Sequence, residues 1–217
     1  ILMTIPIRLI DNLYSSYGAD DANYIICPTT NTELYYIVDG HSQRAGSAEI
    51  VKLFSEFLKK EVRLNEINTE NVSEIIIKFL GLFRESVKRK FPMAAICFVL
   101  LIKIDNTLHT FYLGDCRLGQ FLDDHNILWI TKPHSAILQE NPDMTEEELR
   151  ISEFNHIIYK QFTAKKFAKP EYIEIALSDC RYILATDGFW KLLPEQQFKI
   201  LNKNEVQLED DIAFLKF

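Results

Sequence analysis

The sequence has no Cys-x-x-Cys pair, and its four cysteines, Cys27, Cys97, Cys116 and Cys180, lie far apart. That spacing suggests neither a zinc site nor a disulfide framework and fits a reducing, intracellular setting, the cytoplasm being expected. A surplus of basic residues is also missing. With 24 Lys and Arg against 31 Asp and Glu, the formal charge is -7, so the chain lacks the basic face that neutralises nucleic-acid phosphates. No apolar run is long. The longest, Met93 to Ile102, falls well short of the roughly 20 residues that span a bilayer, and the start carries neither the n-region nor the cleavage pattern of a signal peptide. Internal repeats, low-complexity tracts and domain linkers are absent too. What remains is 217 residues, 47% of them hydrophobic, enough to bury one sizeable core but not two comfortable ones. A single domain over residues 1–217 is expected, as a monomer, and the start at Ile1 leaves room for sequence upstream.

Leu34 to Val38 (LYYIV) is a short apolar, aromatic-rich run that predicts a buried strand ending at Asp39-Gly40. From Ala45 to Val62 the residues Ala48, Val51, Phe54 and Leu58, joined by Ile50, Leu53 and Phe57, recur at helical spacing. A second helix is expected where Val72, Ile76, Phe79, Leu80, Phe83 and Val87 share a face, with Asn71 placed to cap and Glu74 three residues on. After Phe91-Pro92 the pattern changes to strands at Ala95–Ile104, Leu108–Leu113, Gln120–Leu122 and Ile127–Ile130, which read as one antiparallel meander. Thr145 and Glu148 make a capping box for a short helix ending near Phe154, and Lys160 to Lys169 is a basic, poorly periodic connector. Strands resume at Tyr172–Leu177 and Tyr182–Ala185, a helix opens near Pro194, and the chain closes on a strand from Ile212 to Phe217. This order predicts an α+β fold rather than a parallel βαβ array.

Acidic residues recur beside these strands. Asp39 follows LYYIV, Asp115 follows FYLG, Asp187 follows YILAT, and Asp210 with Asp211 precedes IAFLKF. A strand end is rigid, so carboxylates there can be held in the fixed mutual geometry that a hard divalent cation requires. An Asp-Gly pair is equally the favoured pair of a tight hairpin turn. Both Asp-Gly pairs here precede helical patterns instead of partner strands, which weakens the turn account without removing it. Spacing alone leaves both readings open.

Taken together the segments resemble the PPM family (type 2C) of metal-dependent serine/threonine protein phosphatases, as a short and divergent member. YYIVDGH is similar to that family's strand ending in Asp-Gly-His, FYLGDCRLG to its Gly-Asp-Ser-Arg segment, and TKPHSAI to its Thr-Lys-Asp-His-Ser segment. LATDGFWKLL resembles its Ser-Asp-Gly-Leu-Trp segment and EDDIAFLKF its closing Asp-Asn-Ile-Thr strand, and all five occur in the family's order. Asp20-Asp21-Ala22 stands where the family has an acidic pair. The resemblance implies a four-layer α/β/β/α sandwich of two antiparallel sheets flanked by helices, with two or more Mg²⁺ or Mn²⁺ ions at one end. By the same likeness Asp39 bridges two metals, Gly40 offers its carbonyl, Asp187 and Asp210 complete the second site, Asp20 holds metal mostly through water, and Asp115 helps hold a further, weaker ion. A metal-bridged water then attacks the phosphorus of phosphoserine or phosphothreonine in a phosphoprotein, and His41 protonates the departing oxygen.

The chain departs from that pattern at several places. The family's phosphate-gripping arginine is replaced by the stretch Ser15-Ser16-Tyr17-Gly18, with Arg8 and Arg44 the nearest substitutes, each also readable as ordinary solvated charge. Pro133 replaces an aspartate, Ser42-Gln43 a glycine pair, and Asp211 an asparagine. Loss of the arginine costs substrate affinity before metal binding, which keeps open a rival function: a catalytically weak or inactive phosphatase-like domain acting as a protein-binding or regulatory module. Phe189, Trp190 and Trp129 read as core anchors, His134 as a loop-ordering residue, Cys116 as a small buried one, and Lys160–Lys169 as a solvated face or a flap beside the site.

Overall fold

The computed structural model describes residues 6–12 and 19–217. In chain order the described elements are β1 (Ile7–Asp11), β2 (Asp20–Cys27), β3 (Thr32–Gly40), α1 (Ser47–Glu61), α2 (Val72–Val87), β4 (Ala95–Ile104), β5 (Thr107–Leu113), β6 (Arg117–Phe121) and β7 (Ile127–Trp129). They continue with α3 (Ile137–Glu140), α4 (Glu146–Ile151), β8 (Phe162–Thr163), β9 (Glu171–Ala176), β10 (Tyr182–Ala185), α5 (Asp187–Trp190), α6 (Pro194–Leu201) and β11 (Ile212–Lys216).

The run of unbroken apolar residues in β4 is explained by its place. It lies in the middle of the sheet β2-β3-β4-β5-β9, with β8 paired to its start, and both faces of that sheet are covered. A strand buried on both sides needs no polar alternation. One face, carrying Leu34, Tyr36, Val38, Phe98 and Leu100, packs on α1 and α2. There Phe54 of α1 meets Phe79 and Phe83 of α2 edge-on at centroid distances of 5.6 and 5.1 Å, and stacks on Phe98 of β4. Each such ring removes enough apolar surface from water to contribute about 1.5–3 kcal/mol.

The other face, with Tyr35, Ile37, Val99 and Leu101, packs on a second sheet ordered β1-β11-β10-β6-β7. Alternation in β11 sorts its side chains: Ala213 and Leu215 point into that inter-sheet core, whereas Ile212 and Phe214 point outward to Phe189, Trp190 and Ile200 of α5 and α6. All pairings between named strands are antiparallel. The result is the expected α+β arrangement of four layers, helix on sheet on sheet on helix. No helix among the described residues is long and apolar enough to cross a membrane.

Several local expectations are corrected. The strands after Pro92 are not one meander, because β4 and β5 belong to the first sheet while β6 and β7 belong to the second. Two strands, β1 and β2, precede the first one expected. Asn71 does not cap α2 with its side chain; its Oδ1 accepts from Asn68 N–H and its Nδ2 donates to Glu66 O, closing the preceding loop instead. The capping box of Thr145 and Glu148 is present, but its helix stops at Ile151. The basic connector contains β8.

The crossing between sheets turns on Gly114. Its φ is +92°, and a Cβ there would lie 2.1 Å from Cys97 Sγ, so any side chain meets both backbone strain and the floor of β4. Gly114→Ala should therefore lose roughly 2 kcal/mol or more of stability. Urea unfolding tests this; a midpoint unchanged from wild type would show that the crossing tolerates a side chain.

Candidate metal centre

Strand parity decides which carboxylates meet. Asp20 and Asp39 are directly paired across β2 and β3, and both share the face of Ala22 and Ile37, toward the second sheet. Asp21, one residue on, turns to the opposite face and accepts a 2.5 Å bond from Ser55 of α1. Only the first member of the acidic pair thus reaches the inter-sheet space. From the second sheet, Asp187 follows β10, Asp210 precedes β11, and Asp115 lies where the chain crosses over from β5 to β6.

These ends converge in a cleft of about 370 Å³ lined by Asp20, Asp39, Gly40, His41, Asp115, Asp187, Asp210 and Asp211. Carboxylate oxygens of Asp39, Asp115 and Asp187 lie within 4.8 Å of one another. Gly188 permits the approach of the two Asp-bearing segments, since a Cβ on it would fall 1.9 Å from Asp211 O. Asp115 is fixed from two directions. Trp190 Nε1 donates to its carbonyl at 2.7 Å, and His134, bonded through Nδ1 to Gly114 and through Nε2 to Glu171 at 3.0 Å each, holds the residue before it. Trp190 in turn stacks on Arg117, which also lies over Trp129 and makes paired bonds to Glu146 of 2.7 and 2.8 Å. The expected core role of both tryptophans and the loop-ordering role of His134 are what this geometry performs.

Crowded carboxylates in a desolvated cleft resist ionisation. Burial, followed by the charges of Asp20, Asp187, Asp115 and Asp210, drives the Asp39 carboxyl well above its usual range. Asp20 is raised likewise by burial, against hydrogen bonds to Thr186 and Asp39 that lower it. Burial and Asp187 push Asp115 up to about 7, and desolvation with Asp187 brings Asp210 to about 6. His41 is held below its ordinary value by burial and then by Arg44. Its Nδ1 accepts from Gln43 N–H at 3.2 Å, so the neutral ring carries its proton on Nε2.

The donor set is all oxygen, which suits a hard divalent cation. Asp20 Oδ2 and Asp115 Oδ1 are buried without a hydrogen-bond partner among the described residues, and a buried carboxylate oxygen in that state is costly unless a cation meets it. The residues present therefore fit Mg²⁺ or Mn²⁺.

No protein-family model matches the sequence, and no curated protein does. Solved structures match over nearly the whole chain. The serine/threonine phosphatase Stp1 from Staphylococcus aureus superposes with a TM-score of 0.80 at 16% identity, covering 99% of this chain and 94% of that one. The chain has the PPM-phosphatase fold. The S. agalactiae serine/threonine phosphatase shares this PPM-type architecture with a TM-score of 0.77, 13% identity and 98% coverage of each chain. The catalytic domain of Mycobacterium tuberculosis PstP, in complex with two manganese ions, matches with a TM-score of 0.69 at 14% identity over 98% of this chain and 96% of that one.

Within the PPM-type fold the structure brings all the sequence-predicted site residues to one cleft. Arg44 also lines it, with no side-chain partner among the described residues, whereas Arg8 is exposed and donates to Ala22 O at 3.1 Å. The Ser15–Gly18 stretch lies outside the described residues. Sequence reasoning missed Cys97, His156, Gln161 and Lys191 as lining residues. Lys191 had a signal, its i,i+4 spacing from Asp187 on a helix; His156 and Gln161, on an irregular segment, had none.

The raised carboxyls give the metal-free protein a pH signature. Folded Asp115 keeps its proton up to about 7, where the unfolded chain has already lost it, so the stability this proton carries is full below about pH 4 and gone above about pH 7. In chelator, Asp115→Asn should gain on wild type as pH rises from about 4.5 to about 7.5, by up to a few kcal/mol at about 1.4 kcal/mol per unit. Denaturant titration at both pH values measures it, and a pH-independent difference would refute it.

Proposed function

We propose that this protein hydrolyses phosphoserine and phosphothreonine in proteins with the help of two divalent ions, Mg²⁺ or Mn²⁺. The observation that carries this reading is the meeting of Asp39, Asp115 and Asp187 within 4.8 Å at one end of the two sheets, in a fold shared with serine/threonine phosphatases. Asp39, Asp115 and Asp187, with the Gly40 carbonyl, Asp20 and Asp210 lining the same cleft, would hold the ions. Bound there, the ions supply the positive charge that acidifies a water and offsets the phosphoryl group's negative charge.

The chain's own residues do the remaining work. The rigid strand ends hold the carboxylates in place before substrate arrives, so little reorganisation is required of them. His41 stands at the rim of the cleft; once protonated at Nδ1, which gives up the bond from Gln43 N–H, its imidazolium would pass the Nε2 proton to the departing serine or threonine oxygen and return to the neutral ring. Its lowered pKa makes the imidazolium a stronger acid. Arg44, without a side-chain partner at that rim among the described residues, is read as the cation that receives the phosphate in place of an N-terminal arginine. The sheet floor beneath, with Cys97 and Cys116 fully desolvated and their thiols pushed up by burial, offers no competing nucleophile.

A second reading, a weak or inactive phosphatase-like module, draws on one observation: Lys191 already pairs with Asp187 at 2.7 Å. Turnover of p-nitrophenyl phosphate and a phosphothreonine peptide, with and without Mn²⁺, separates the two. Metal-dependent turnover is expected in wild type, with losses on the order of a hundredfold or more in Asp39→Asn and Asp187→Asn. Arg44→Ala should raise KM about 10- to 100-fold with a smaller change in kcat, the cost of a charge-assisted bond to phosphate. No turnover in any metal condition would leave the module reading standing.

A further inference from the structure

Lys191 caps the end of α5, four residues after Asp187, and its Nζ donates to Asp187 Oδ2 at 2.7 Å. The side chain is 20% exposed and lines the cleft. Beside the pair, Asp115 is 1% exposed and its Oδ1 has no hydrogen-bond partner among the described residues. Both aspartates belong to the group whose oxygens lie within 4.8 Å of one another. An ammonium and a divalent ion seek the same thing here, a carboxylate oxygen without a proton donor. The ammonium has the advantage of being covalently tethered, so its local concentration does not depend on solution composition.

Charge counting points the same way. The cleft is lined by six aspartates (Asp20, Asp39, Asp115, Asp187, Asp210 and Asp211) and two permanent cations, Arg44 and Lys191. Six negative charges less two positive leave four when all are ionised, which two divalent ions neutralise; without Lys191 the balance is five, which two ions leave one short. We propose that Lys191 is a built-in cation occupying the Asp115–Asp187 side of the cleft in place of a third metal ion, fixing the centre at two ions per chain. Lys191 then takes Oδ2 of Asp187 and leaves Oδ1 free for one of them. This rests on reading the cleft as a metal centre, and it corrects one element of the family likeness, the further weak ion assigned to Asp115.

The test counts ions on the full chain, using calorimetric titration with MnCl₂ and atomic absorption after gel filtration. Wild type and Lys191→Arg should each bind two Mn²⁺, and Lys191→Met should bind one more. In chelator the melting temperature of Lys191→Met should fall by at least roughly 2–4 °C through unrelieved carboxylate repulsion, and Mn²⁺ should restore it. Should Lys191→Met fail to fold in chelator, Lys191→Gln refolded in MnCl₂ and counted by atomic absorption gives the same reading. An identical count and affinity in wild type and the neutral variants, with at least one ion bound, overturns the role of Lys191 while sparing the metal centre. Ions in the variant but none in wild type keep Lys191 as the occupying cation and remove the metal centre from the wild-type protein. No ions in either overturn both.

Discussion

Carboxylates gathered at one end of two packed sheets repel each other, and most of the site's construction answers that repulsion. With oxygens of Asp39, Asp115 and Asp187 inside 4.8 Å, each pair of unit charges opposes assembly by about 1 kcal/mol in water and about 4 kcal/mol in a partly desolvated cleft. A flexible loop would relieve this by swinging its acid into solvent. Strand ends cannot, because their backbone is tied into sheets whose cores are filled by the apolar runs of β3 and β4 on one side and β10 and β11 on the other. Folding energy from those cores is thus stored as proximity of like charges.

The second sheet needs more bracing than the first. Asp20 and Asp39 are held by ladder hydrogen bonds of β2 and β3, but Asp115 sits in a crossing with no ladder of its own. Its support comes instead from side chains: the Trp190 indole, the His134 imidazole, and behind Trp190 the Arg117 guanidinium, 0% exposed yet paired with Glu146. A buried arginine is tolerable only with that complete set of partners. The chain therefore spends two tryptophans, an arginine, a histidine and a glutamate on positioning one crossing.

That construction explains what was readable in the sequence. LYYIV and its continuation to Asp39 are apolar because both faces are covered, so the strand and its acidic end announced each other. Helices α1 and α2 were legible for the same reason, as each buries a single wide stripe. The crossing was not legible. Nothing in the alternation of residues 95–130 marks a change of sheet except Gly114, whose positive φ is invisible without coordinates, and Arg117 hides the start of β6 because a buried arginine reads as a surface one. Strands β1 and β2 escaped because they are only partly buried and so carry polar residues, Asp20 and Asp21 among them, which read as loop. Of the site, Asp39, Asp115, Asp187 and Asp210 were found by position and Asp20 only through the family resemblance, whereas Lys191 was overlooked because a lysine at the end of a short helix is ordinarily a solvated one.

The floor beneath the carboxylates carries the last consequence. It is made of Ala22, Cys97, Cys116 and Thr186, all buried and none of them cationic. Among the described residues, fixed positive charge for the cleft thus comes from Arg44 and Lys191 in its lining, and the rest from solution. Protons serve up to about pH 6 to 7, as the raised Asp210 and Asp115 carboxyls express, and divalent ions are the proposed compensation above that range. Stability of the metal-free cleft then depends on one variable, the cation that offsets its carboxylates, and the proposed hydrolysis would draw on the same carboxylates. A scaffold with no chemistry to perform could lower this cost by neutralising any one aspartate, whereas the chain carries six around the cleft, Asp211 standing where the family it resembles has an asparagine.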